Sequence, residues 1–82
     1  MRTIRKAVSD DVLIVNDWDD VVSSSSWAMG GLTASHADYS GKQSSVIAEG
    51  GTLGTAYKVT NTVVLANYET LERSIMVELV TK

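Results

Sequence analysis

The chain contains no cysteine and no proline, only one histidine, and no long apolar run. Without cysteine there are no disulfides, thiolate nucleophiles or thiolate metal ligands. The lone histidine, His36, has no second histidine or acid at a recognisable ligand or catalytic spacing, so it reads as a surface or edge residue. The longest apolar runs, residues 12–15 and 63–66, fall far short of the ~20 residues that cross a bilayer as a helix. No apolar region follows the basic start MRTIRKAVSDD, as a signal peptide would require. Positive charge is thin as well: the seven Lys and Arg residues are scattered and the net charge is −3, whereas nucleic acid needs a concentrated basic face. The expectations are no membrane and no nucleic acid partner, in a complete chain made and folded in a cytoplasm.

What is present fits one small domain of 82 residues. A domain of this size buries only about 60–65% of the surface its unfolded chain exposes. Ordering it costs on the order of 1.5 kcal/mol per residue, close to what burial returns. With disulfides and thiolate metal sites excluded, a partner or self-association is the remaining supplement.

The organising stretch is residues 50–61, GGTLGTAYKVTN. Its glycines break the preceding element, and a strand pattern then places Tyr57, Val59, Asn61, Val63 and Leu65 on one side. A tyrosine two positions before a core residue is how immunoglobulin-like sandwiches enter a central strand, the hydroxyl tying back to the preceding turn. Here Val59 stands where an antibody domain has cysteine. Further strands are expected over residues 12–18 (VLIVNDW), 23–29 (SSSSWAM) and 44–48 (SSVIA). Trp27 is the candidate for the large central core residue. Residues 32–44 form a polar stretch in which Leu32, Ala34, His36 and Asp38 share a side if the chain is extended, with a turn at residues 39–42. Residues 71–80 alternate Arg73, Ile75, Val77 and Leu79 against Glu72, Ser74, Met76 and Glu78, which outweighs a helical reading of residues 69–79. They pair with residues 55–66 as an antiparallel hairpin. The fold class is therefore all-β: an immunoglobulin-like antiparallel β-sandwich of six to seven short strands over residues 10–82, preceded by an N-terminal arm or edge strand over residues 1–9.

No catalytic constellation emerges. There is no Gly-x-Ser-x-Gly elbow, and the three glycines of the central stretch lead into a strand, whereas a phosphate cradle leads into a helix. Asp10, Asp11, Asp17, Asp19 and Asp20 lack the alternating spacing of a calcium loop and read as solvated turn carboxylates. No catalytic, cofactor or metal residue is assigned. The partner-contact candidates are Arg2, Arg5 and Lys6 on the arm, and Trp18, Asp19 and Asp20 in the loop after the first convincing strand.

The ordered set Asp17-Trp18, Ser26-Trp27, Leu32-Thr33, Gly50-Gly51-Thr52, Gly54-Thr55, Tyr57-Lys58-Val59-Thr60-Asn61 and Glu72-Arg73-Ser74-Ile75 resembles a group of small tailed-bacteriophage virion proteins, described as fibre–tail adaptor or virion structural proteins. The resemblance runs from about Asp17 to Val80. It implies a non-enzymatic virion protein, an adaptor or neck/tail accessory, made in the host cytoplasm and partnered by other virion structural proteins. A homo-oligomer or symmetric multi-copy assembly would let weak contacts add. The alternatives are a capsid decoration protein and a carbohydrate- or cell-surface-binding module. The resemblance supplies fold residues and no mapped binding site.

Overall fold

Period-two alternation becomes seven strands in the computed structural model, which describes residues 2–81: β1 Arg2–Lys6, β2 Val12–Asp17, β3 Val22–Ala28, β4 Thr33–Ser40, β5 Gln43–Glu49, β6 Ala56–Leu65 and β7 Thr70–Leu79. They form two sheets, one ordered β1-β7-β6-β3 and the other β2-β5-β4. Every pairing is antiparallel except β1, which runs parallel to β7 with Arg2 beside Ile75 and Lys6 beside Leu79. If β2 to β7 are matched to strands B to G of an immunoglobulin domain, the sheets are C-F-G and B-E-D, with the first strand laid on G.

The corner at the start of β6 forms as its spacing implies. The Thr52 N–H donates to the Tyr57 hydroxyl at 2.8 Å, and Val59, two residues on, is 1% exposed. Hydrogen bonding from the Thr52 side chain, and next from its N–H, favours the phenolate and holds the Tyr57 pKa below the ordinary phenol value of 10.0. A group whose folded-state pKa is depressed adds stability that is complete above the unfolded value and lost as pH falls through the folded one. Tyr57→Phe is therefore expected to lower the urea midpoint slightly at neutral pH, with a gap to wild type that widens as pH rises toward 10. A gap that stays constant or narrows over that range would contradict the corner.

The interior is divided in two. Ile14, Met29, Leu32, Val46, Ala48, Val59, Ile75, Val77 and Leu79 form the larger cluster, and Trp18, Val22, Val63 and Leu65 the smaller. A polar belt lies between them. Along β6 the inward residues run Val59, Asn61, Val63 and Leu65, so Asn61 interrupts the apolar face at the boundary. The belt is completed by Asn16 on β2, Ser44 on β5 and Ser25 on β3. Asn61 Oδ1 accepts from Asn16 Nδ2 at 3.2 Å and from the Ser44 hydroxyl at 2.5 Å. Its Nδ2 donates to Ser25 Oγ and to the Ser26 carbonyl, each at 2.9 Å. Both sheets are thus tied together through one fully buried amide.

Three sequence expectations need adjustment. The polar stretch after Leu32 is a full strand, β4, which has few buried positions because it is an edge strand. Its alternation breaks where Ser35 pairs with Ile47 but Asp38 pairs with Ser45. His36 and Ala37 form a bulge there, with His36 at φ 51°, so His36 and Asp38 do not follow a simple alternation. Trp27 packs only partly against the larger cluster, since β3 is also an edge strand, while Trp18 is the indole that is 6% exposed. Residues 2–6 pair in register with β7 as an edge strand; Met1 lies outside the described residues.

Candidate functional site

Three connections gather at one end of the sandwich: residues 18–21 between β2 and β3, 41–42 between β4 and β5, and 66–69 between β6 and β7. Backbone hydrogen bonds stitch them together. The Trp18 N–H donates to the Lys42 carbonyl at 2.8 Å, the Val22 N–H to Gly41 at 2.9 Å and the Ala66 N–H to Val21 at 2.8 Å. Loops held in this way form a firm platform, the usual place for recognition on a sandwich.

Beneath the platform lies Trp18. Its Nε1–H donates to Ser44 Oγ at 2.9 Å, joining the smaller cluster to the polar belt. The Arg73 guanidinium carbon sits 4.3 Å from the ring centroid, and Arg73 also donates to the Asp17 carbonyl at 2.9 Å. This stacked arrangement fixes the end of β2 against β7. Above, Asp19 is exposed, Asp20 Oδ1 accepts the Val21 N–H at 2.7 Å, and the Val21 side chain is 45% exposed.

The tip of the platform is Tyr68, 90% exposed. The hairpin closes with Tyr68 N–H donating to the Leu65 carbonyl at 2.9 Å and Leu65 N–H donating to Glu69 at 2.8 Å. Asn67 Oδ1 caps the turn by accepting the Glu69 N–H at 3.1 Å. In this geometry Tyr68 has φ 70°, a left-handed conformation that hairpins ordinarily assign to glycine or asparagine. A large aromatic held there is strained and fully presented to solvent, which points to a role outside folding.

The sequence-predicted contact residues divide. Arg2 and Arg5 are exposed on β1, where Arg5 Nε is 3.7 Å from Glu78 Oε2. Lys6 is 2% exposed and its ammonium is spent on carbonyls, donating to Ala7 at 2.8 Å, Val8 at 3.3 Å and Asp10 at 2.5 Å. Trp18 is likewise committed to the interior. Nor does the fold gather the six into one patch. Lys6 sits beside Leu79 and Trp18 beneath Arg73, about 20 Å apart along β7 at the rise of an extended chain. Tyr68 was not singled out from the sequence, whereas Val21 lies in the predicted Trp18–Val22 contact loop; the available signal for Tyr68 was an aromatic in the polar turn NYET, where a hairpin favours glycine.

Nothing in this arrangement suggests chemistry. Among the described residues no three His, Asp or Glu side chains converge as a metal site. His36 is exposed in its bulge, with Nδ1 3.3 Å from Ser35 Oγ, while Ser35 also bonds Glu49.

Residues 8–78 match a protein family described as podophage GP4 fiber-tail adaptor protein gp77. A search of curated proteins returns no match.

Proposed function

The chain belongs to the podophage fiber-tail adaptor family, and on that premise we propose that it is a non-catalytic connector joining larger virion components, with the Tyr68 platform as its principal contact surface. A structural adaptor is a component of the virion and meets other virion proteins there. The observation that carries the contact assignment is Tyr68, an aromatic that is 90% exposed in a backbone conformation unfavourable to it. Tyrosine is among the residues that dominate interface energetics, because it brings large area at low side-chain entropy cost. Asp19, Asp20 and Val21 lie on the adjoining loop, which the Ala66 N–H to Val21 bond joins to the Tyr68 turn, and Arg2 and Arg5 on β1 form a second, separate contact. Symmetric copies in the particle would multiply these contacts and supply the stabilisation that an 82-residue domain is short of.

The test uses opposing effects. Tyr68→Gly relieves the left-handed strain, and the isolated chain is expected to melt about 2–6 °C higher. In a phage complemented with this variant, retention in purified particles is expected to fall about thirtyfold, as for the loss of an interface anchor. A more stable chain that assembles normally would remove Tyr68 from the interface. Copy number separates the tail role from capsid decoration: a ring of about six to twelve copies fits a tail or neck position, and hundreds would fit a shell. The sugar-binding alternative gains no support from geometry, since Trp18 is buried and cannot join Trp27 in a stacking platform.

A further inference from the structure

β3 ends the four-stranded sheet and β4 ends the three-stranded sheet, and the two face each other along one side of the sandwich. Between them is a notch of about 110 Å³ lined by Ser25, Trp27, Ala37, Asp38 and Tyr39. Trp27 rests part of its ring on the larger core cluster, and its Nε1 is buried with no hydrogen-bond partner among the described residues. An indole N–H can only donate, and a buried donor left unmet is costly enough that native folds rarely keep one without reason. The opposite wall is Tyr39, 43% exposed. Beside it Asp38 makes no ion pair among the described residues, and its Oδ1 accepts only the adjoining Tyr39 N–H, at 2.8 Å. The bulge at His36 and Ala37 carries β4 past this point with its pairing to β5 interrupted.

The two edges also lack basic residues and proline, although each carries a register shift, at Val22/Ser24 in β3 and at Ser35/Asp38 in β4. β1 carries Arg2 and Arg5, the kind of charge that discourages strand addition, but β3 (VSSSSWA) and β4 (TASHADYS) hold no Lys, Arg or Pro. Edges seven and eight residues long without such cations leave room for the addition of an extended segment between the bulges.

We propose that this notch is a peptide-binding site: an extended segment of a neighbouring virion subunit lies along the β3–β4 side, its basic side chain meeting Asp38, and the Trp27 indole turns from its closed position to donate its N–H to a backbone carbonyl of the segment. The inference rests on the adaptor reading and names the chemistry of one partner. Charge complementarity supports it, since the only formal charge on the two strands is the unpaired Asp38. A sugar is disfavoured: about 110 Å³ is well below the roughly 300 Å³ at which small-molecule pockets begin, and part of the Trp27 ring is turned to the core.

Two variants and one exchange measurement test it, all with the full chain. Trp27→Phe keeps a ring but removes the unmet donor. The free chain is expected to hold its unfolding midpoint, whereas retention in purified phage particles falls about tenfold. Asp38→Lys, on the exposed side, is expected to fold normally and to lower retention by a similar factor. In particles carrying the wild-type chain, amide exchange over residues 22–28 and 33–40 is expected to slow relative to the free chain. Unchanged exchange in those strands, or normal retention of both variants, would overturn the notch while leaving the adaptor reading intact. Quenching of Trp27 fluorescence by oligosaccharide from the host surface, with no effect of either variant on retention, would reassign the notch to sugar. Absence of the chain from purified particles would take down both readings.

Discussion

Asn61→Ala is expected to cost about 3–5 kcal/mol and to lower the urea midpoint by about half. Asn61 is 0% exposed and serves four partners on three strands: Asn16 Nδ2, the Ser44 hydroxyl, Ser25 Oγ and the Ser26 carbonyl. Truncation leaves at least two of these buried without a partner, at roughly 1–3 kcal/mol each. A domain of this size has only about 5–10 kcal/mol in hand, so the loss is about half of its stability. Ser44 also accepts the Trp18 N–H, so the damage extends to the indole under the platform. Urea denaturation of Asn61→Ala beside wild type is the check, and a midpoint within error of wild type would show that the belt is idle. The belt also has a consequence for register. Slipping β6 by one residue would place Asn61 on the outer face and an unmatched Asn16 and Ser44 in the core, so the polar set penalises every register but one.

Gly30→Ala is expected to destabilise by about 3 kcal/mol or more, for a different reason. Gly30 lies in the crossover from β3 to β4 at φ 66°, and a Cβ there would be 2.6 Å from the Lys58 carbonyl oxygen and 3.3 Å from the Lys58 nitrogen. The clash is with backbone, and Lys58 is held in β6 opposite Met76 of β7. It cannot give way as a flexible side chain would. The left-handed conformation adds about 1–2 kcal/mol for a residue with a Cβ, and displacing packed structure about 1–3 kcal/mol more. Gly41→Ala is the control: its φ is 56° but no atom lies within 4 Å of the added carbon. It should show the conformational cost alone, on the order of 1 kcal/mol. Thermal melts of the two variants measure the difference, and equal losses would mean that the crossover moves freely away from β6.

The strands that were legible in advance were those with one face in the core. β6 and β7 bury alternate residues and show period two in the sequence, with Ile75, Val77 and Leu79 settling β7 as strand against its good helix formers, while β2 and β5 are legible as short apolar runs. β4 was illegible because an edge strand exposed on nearly all sides needs no apolar period; its hydrogen bonds to β5 make it a strand. Trp27 and Trp18 exchanged roles for a related reason. Sequence shows that an indole sits on a strand, but not that the strand lies at an edge, or that the residue after β2 folds back under a loop.

Candidate contacts depended still more on tertiary structure. Arg2 and Arg5 could be read as exposed cations from the local sequence alone. Lys6 could not be separated from them, since only the turn that follows brings three carbonyls around its ammonium. Tyr68 became a candidate once its exposure and backbone angle were known, and the Trp27 notch exists only because two strands from different sheets meet along one side.

By itself, the sequence determined an all-β chain without disulfides, the hairpin of β6 and β7, the tyrosine corner and membership of the adaptor family. These are encoded in neighbouring residues, through alternation, turn chemistry and short ordered motifs. Tertiary structure decided which cations are free, which indole is buried and how Asn61 joins the two sheets. The Trp18 and Asn61 outcomes depend on partners 17 to 45 residues away in the chain, and no local pattern reports a contact across that separation; Lys6 is taken up by the conformation of the turn that follows it.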